Sequence, residues 1–346
     1  MVLLTSILGD DFRKNPLLIL QSSLAQSSLP VIRHVLTRSK IDQNSILFCM
    51  LYPPSSLSDG KSTDSLQIYD LTGHVPGYND MDFATELLAA TEKALDVLAQ
   101  SRPLNIILDS VDTLLEVNGS VSETYKILAK LYNLIRRHSN ARLILHSQSP
   151  SSLLPLITQT TFSSSLAHLI AHPPALITHL ATEFLMPPPP VSQEAKFWSV
   201  FLPVSERIHD TERLIFGSTS GEGSSHPSEF VVELIQREGI GRKRGVQRVL
   251  EGWSYDRPCG LSSLESLHAV TITQKEPAQA NAPDPTQNLP FNLNLTSSQQ
   301  ESRAKVPLPY AHEGNPVTSN TQGAIFYDPD SADDIDDDDP DEDLDI

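Results

Sequence analysis

Gly60, Lys61 and Ser62 spell the end of a Walker A motif, in which glycine N–H groups wrap phosphates and a lysine reaches the terminal one. The opening glycine of that motif falls at Ser55, and no helix follows directly to receive an anion. A solvated loop is the expectation there. Residues 106–109, Ile-Ile-Leu-Asp, have the form of a Walker B strand, whose terminal acid serves a metal-bound nucleotide. That role needs a phosphate loop after the first strand, and residues 21–29 contain neither glycine nor lysine. Asp109 is therefore expected to bond the next turn. Gly239, Gly241 and Gly245 depart from the GxGxxG fingerprint by one position, because Arg244 stands where the last glycine belongs. Thr219, between Gly217 and Gly221, stands where a nucleophile elbow needs serine. Both stretches read as turns. The eleven histidines read as scattered, without paired HxxxH or HExxH spacing, and Cys49 and Cys259 are far apart, so neither a zinc site nor any other cofactor is expected.

Two features point to binding. Arg242, Lys243, Arg244 and Arg248, with Arg237 before them, form a cationic cluster on an otherwise acidic chain. Such a hairpin can hold nucleic-acid phosphates, and the same charges also make an ordinary solvated turn. Further on, Leu289, Phe291, Leu293 and Leu295 alternate with Pro290, Asn292 and Asn294, so an extended chain turns the four apolar side chains to one face. That is the form of an added strand or groove ligand, which makes Phe291, Leu293 and Leu295 candidate partner-docking residues. The receiver is either another subunit or the chain's own domain. Ser298 and Glu301 then form a capping box for a short helix that Pro307 stops.

The elements that would position these residues follow from apolar periodicity. Residues 17–20, 46–52, 105–108 and 142–146 are short apolar runs, the mark of strands buried on both faces. Between them lie segments of helical period: Val31, Ile32, Val35 and Leu36 after Pro30; Phe83, Leu87, Thr91, Ala94, Leu95 and Leu98 after an N-cap at Asp82; and Val121, Tyr125, Leu128, Tyr132 and Ile135 behind the capping box of Ser120 and Glu123. Strands alternating with amphipathic helices predict an α/β layer fold with a mainly parallel sheet. Residues 66–71, 166–171 and 196–202 read as further strands, with a proline corner at 187–190, and 229–236 with 246–253 as an antiparallel edge hairpin. From 274 to 289 the composition turns to Pro, Ala, Asn and Gln, so the globular domain is expected over 1–273, linker and docking segments over 274–327, and an acidic tail over 328–346.

Hydrophobic residues at 39% and charged residues at 20% fit a folded body with polar stretches. The net charge is −18, and the last 19 residues hold 12 acids and no Lys or Arg, which leaves about −6 for the remainder. Like-charge repulsion predicts an extended tail. Two cysteines cannot build a disulfide framework, and no basic segment followed by an apolar one opens the chain, so a reducing intracellular location is expected. No apolar stretch approaches the roughly 18 residues of a membrane span.

Four stretches carry a family resemblance: LPFNLNLTSSQQ (289–300), AKVPLPYAHEG (304–314), the closing IFYDPDSADDIDDDDPDEDLDI (325–346) and GRKRGVQRVLEGW (241–253). With the α/β pattern of the first half, the chain resembles the Elongator subunit five family in its fungal form. The resemblance implies a RecA-like core without a working P-loop, in line with residues 21–29. It also implies a hetero-hexameric ring with the related subunits four and six, two copies of each, that binds tRNA. That ring supports C5 modification of the wobble uridine, in cytoplasm and nucleus, with the chemistry done by the large catalytic subunit. No catalytic residue is carried over. Two rivals stay open: a degenerate RecA-like ATPase, and an acidic adaptor outside Elongator.

Overall fold

The computed structural model describes residues 2–9, 14–39, 41–58, 62–73, 83–97, 102–217, 228–238 and 245–268. They fall in one compact unit, Met1–Pro277. Its strands are β1 (Leu17–Ser22), β2 (Asn44–Cys49), β3 (Leu66–Asp70), β4 (Leu104–Leu108), β5 (Ala141–Gln148), β6 (Leu166–His172), β7 (Glu229–Arg237), β8 (Val246–Ser254) and β9 (Arg257–Cys259). Helices α1 (Leu3–Leu8), α2 (Leu29–Ser39), α3 (Pro54–Leu57), α4 (Phe83–Val97), α5 (Val111–Asn118), α6 (Val121–Ile135), α7 (Leu154–Ile157), α8 (Pro174–Glu183), α9 (Glu194–Ser205) and α10 (Ile208–Phe216) connect or cover them.

Among the described residues the strands make one sheet in the order β3-β2-β4-β5-β1-β6-β7-β8-β9. Pairing is parallel from β3 through β6 and antiparallel from β6 to β9. The central parallel strands β1, β2, β4 and β5 are apolar over most of their length because both faces are covered. Leu17 and Ile19, Ile46 and Phe48, Ile106 and Leu108, and Leu143 and Leu145 enter a core shared with α4, α5 and α6. Their alternates Leu18, Leu20, Leu47, Ile107 and Ile144 enter the opposite core, with α1 and α2. A third cluster gathers Leu176, Ile177 and Leu180 of α8 with Phe197, Phe201 and Val204 of α9 over Val231 of β7.

The expected strand over 196–202 is a helix instead. Phe197, Phe201 and Val204 stand four and three residues apart, so helical winding buries all of them on one face, and the Phe197 and Phe201 rings stack at 5.4 Å. Helix α5, which follows β4 at once, is capped by Ser110, whose Oγ accepts from Thr113 N at 3.1 Å, and ends at Gly119 with φ of +66°. The 229–236 and 246–253 hairpin forms as expected, and Tyr255 and Asp256, both at positive φ, turn the chain into β9. Asp82, the Gly60 and Lys61 pair, Thr219 and residues 269–346 lie outside the described residues.

Candidate functional site

In an open parallel sheet a ligand sits beyond the carboxyl ends of the strands, where β1, β2, β4 and β5 deliver their loops. The loop after β1 closes on itself there. Ser28 N donates to Ser22 Oγ at 2.8 Å, Ser23 N to Gln26 O at 2.9 Å, Gln26 N to Ser23 Oγ at 3.2 Å, and Leu29 N to Ser27 Oγ at 3.2 Å. Four N–H groups of this loop, those of Ser23, Gln26, Ser28 and Leu29, are thus bonded to oxygens of residues 22–27. Val31 N, in the first turn of α2, is likewise taken by Ser28 O at 3.0 Å.

Ser22 also reaches across the sheet. Its Oγ lies 2.8 Å from His146 Nε2, while His146 Nδ1 lies 2.6 Å from Asp109 O. A carbonyl only accepts, so Nδ1 carries the proton and Nε2 accepts from Ser22. Ser22 Oγ then receives Ser28 N–H and the Ser28 hydroxyl, 2.9 Å away. Burial lowers the His146 pKa, which keeps the ring in this neutral form.

Asp109, fully buried, bonds not the next turn, as expected, but the backbone after β2, which the parallel pairing of β2 with β4 brings beside it. Its Oδ1 accepts from Met50 N at 2.7 Å, and its Oδ2 from Leu51 N at 3.1 Å and Tyr52 N at 2.8 Å. Burial pushes its pKa up to about 6, against the opposing pull of these N–H groups. The next acid, Asp112, accepts from Ser147 Oγ, Gln148 N and Ser151 Oγ and so ties α5 to the end of β5. The crevice that remains, about 300 Å³, is lined by Leu24, Leu51, Asp112, Glu116 and Pro150 among others, with no Lys or Arg among its described residues. Acid walls without a cation repel phosphate.

A second polar network crosses the antiparallel half. Buried Glu233 of β7 meets His172 Nε2 at 2.9 Å and Arg248 Nε at 3.3 Å, and the Arg248 guanidinium lies 5.7 Å from the Trp198 ring centre. Glu233 is held below the usual carboxylate range by its His172 bond and Arg248, despite the burial that opposes them. His168 bonds Gln21 Oε1 at 3.0 Å, and burial takes its pKa down to about 4. His168 and His172 do stand four residues apart, a spacing the reading of the histidines as scattered passed over. On β6 they serve separate partners, and among the described residues no group of three or more His, Cys, Asp or Glu could hold a metal ion.

Of the cationic candidates, Arg248 is therefore engaged inside the fold, while Arg242, Lys243 and Arg244 lie outside the described residues, as do Phe291, Leu293 and Leu295. The closed serine loop was not anticipated as such. Its one signal is the serine-rich string at 22–28, four serines where a phosphate loop has glycines.

This sheet order, with β5 set between the central β1 and the acid-tipped β4, defines an α/β protein with a mostly parallel sheet, antiparallel edge strands and a first loop bonded to itself. The model of the family Elongator subunit Iki1 matches residues 3–328, and the chain belongs to that family. Elongator complex protein 5 of Mus musculus is 46% identical over 70 residues, 18% of this chain and 23% of that protein. The Rattus norvegicus counterpart is 35% identical over 105 residues, 28% of this chain and 31% of its own length. The matches thus span under a third of these relatives. Among solved structures, a KaiC-like protein of Pyrococcus horikoshii aligns with a TM-score of 0.38 and 9% identity, covering 68% of this chain and 84% of that one. No helix among the described residues is long and apolar enough to cross a membrane.

Proposed function

We propose that this Elongator-family chain is a non-catalytic member of the Elongator accessory ring, assembling with subunits four and six. In this reading it supports C5 modification of the tRNA wobble uridine by building the ring and handling tRNA, in cytoplasm and nucleus, while the catalytic subcomplex does the chemistry. The observation that carries it is the serine loop: the N–H groups of Ser23, Gln26, Ser28 and Leu29 are bonded internally by the Gln26 carbonyl and the hydroxyls of Ser22, Ser23 and Ser27. A family member so built contributes surfaces, not turnover. Two surfaces are proposed, the basic stretch of Arg242, Lys243 and Arg244 for tRNA phosphates, with Arg248 set apart by its pairing to Glu233, and the 289–295 segment, through Phe291, Leu293 and Leu295, as a docking strand of the assembly.

The test is calorimetric titration of the isolated chain with a non-hydrolysable ATP analogue and magnesium, in parallel with co-expression of subunits four and six. No saturable binding, together with co-elution in one complex, is the expected result. Saturable micromolar binding by this chain alone would favour the degenerate ATPase, and a stable monomer that ignores both subunits would favour the acidic adaptor.

A further inference from the structure

We propose that the turn between β8 and β9, with the part of α2 that packs against it, is a contact site for single-stranded RNA, in which Tyr255 stacks on an unpaired base while Arg33, Arg38 and Arg257 hold the phosphates beside it. This rests on the tRNA-handling reading and gives it a site separate from the basic stretch at 242–244.

Tyr255 stands where its residue type is disfavoured. It opens the two-residue turn between the paired Ser254 and Arg257, with φ of +48°, and Asp256 follows at +61°. Glycine, asparagine and aspartate tolerate this left-handed region, whereas a bulky side chain there is strained. Packing does not offset the strain. Tyr255 is 70% exposed, and among the described residues its ring meets no other ring and its hydroxyl makes no hydrogen bond. A strained turn that holds an aromatic ring in water leaves a face on which a base can stack.

The cations reach this turn through His34. Its Nδ1 donates to Asp256 O at 2.7 Å, and its ring lies edge-on to Trp253 at 5.4 Å, so α2 is fastened to the turn. Arg33 precedes His34 in the chain, Arg38 lies one helical turn further on the same face, and Arg257 follows Asp256. Arg33 and Arg38 stand about 7.5 Å apart along the helix axis. Burial lowers the His34 pKa, and the charges of Arg38 and Arg257 push it the same way against the Asp256 bond and carboxylate. The ring is therefore neutral and positions the turn without adding charge. Among the described residues neither the Arg38 nor the Arg257 side chain makes an ion pair or hydrogen bond, and Arg33 commits only Nε, to Ser56 O at 2.9 Å.

Three guanidiniums beside one carboxylate run against the net charge of −18, and on an acidic body such a patch steers a polyanion to one place. An acidic protein segment would also meet these cations. Tyr255 decides for RNA, because an Asp- or Glu-rich peptide offers no flat ring to stack on. It also decides for an unpaired stretch, since bases in a duplex already stack on one another.

Fluorescence anisotropy of the full chain with a labelled RNA stem-loop, the same stem as a blunt duplex, and a labelled poly-glutamate peptide tests this. Tyr255→Gly removes the ring and fits the backbone, so its melting temperature should not fall. It should weaken stem-loop binding at least about 5-fold without changing the salt slope or duplex binding, and Tyr255→Phe should bind as the wild type does. Changing Arg33, Arg38 and Arg257 together to Ala should flatten the salt slope by about 2. Unaltered stem-loop affinity in Tyr255→Gly overturns the inference, and so does poly-glutamate binding as tight as the stem-loop, which marks an acidic protein partner. If these variants bind RNA as the wild type does while a chain with Arg242, Lys243 and Arg244 changed to Ala does not, this site is wrong and the tRNA-handling reading stands. If the wild type binds no RNA, alone or co-assembled with subunits four and six, both are wrong.

Discussion

An acid closing a buried strand either faces the crevice, where it can hold a cation, or turns back to bond the backbone of its neighbour. Asp109 does the second, and its pH behaviour should reveal it. Its folded pKa of about 6 lies above the value near 3.9 of an unfolded Asp, so between those values the folded chain binds more protons. The stability it contributes is present below about pH 4 and lost as pH rises towards 6, by roughly 2–3 kcal/mol at most. His168 acts oppositely: with a folded pKa of about 4 it favours the folded state above pH 6.5 and loses that contribution as pH falls to 4. The two slopes offset in the wild type. Denaturant titrations from pH 4 to 7 should therefore show the gap between wild type and Asp109→Asn narrowing as pH rises, and a gap independent of pH would contradict the buried carboxyl described here. None of this was legible from residues 106–109 alone, because the partners Met50, Leu51 and Tyr52 lie 57 to 59 residues away.

Elements were legible where one physical cause acts alone. The apolar runs at 17–20, 46–52, 105–108 and 142–146 became β1, β2, β4 and β5 because burial on both faces favours apolar residues, and the polar ones there, Asn105, Arg142 and His146, are buried with hydrogen-bond partners. The 196–202 run failed because aromatic and β-branched residues suit a strand, and only packing of Phe197, Phe201 and Val204 against α8 and β7 decides for a helix. Helix α5 escaped notice because its eight residues follow β4 without a loop; Ser110→Ala, which removes its cap, should cost about 1 kcal/mol in urea unfolding. At the β7–β8 hairpin the four cations divide. Changing Arg242, Lys243 and Arg244 together to Ala should weaken tRNA binding by the assembled ring and flatten its salt dependence, while leaving the melting temperature nearly unchanged. Arg248→Ala should instead lower the melting temperature, since buried Glu233 loses a cation and Trp198 its guanidinium neighbour. If both variants behave alike, Arg248 belongs with the turn and its internal pairing is incidental.

At the scale of the molecule, what distinguishes this chain from a nucleotide-driven relative is where its hydrogen bonds go. The serine loop could be excluded as a phosphate cradle from residues 21–29, but its closure depends on His146, 124 residues from Ser22, and no local pattern announces that. With that loop bonded to itself and the crevice acid-walled, the family role proposed here rests on assembly, and in that proposal the chain is required for the modification without performing its chemistry. The 12 acids beyond residue 327 bear on this as well: removing residues 328–346 should leave modification near normal if the tail serves solubility alone. The most direct measurement is nucleoside mass spectrometry of total tRNA from a strain lacking this protein, with the wild-type gene restored as reference. The account predicts that carboxymethyl-derived wobble uridines are depleted by at least 10-fold in the deletion and return with the wild-type chain. Normal levels of those nucleosides in the deletion strain would contradict it.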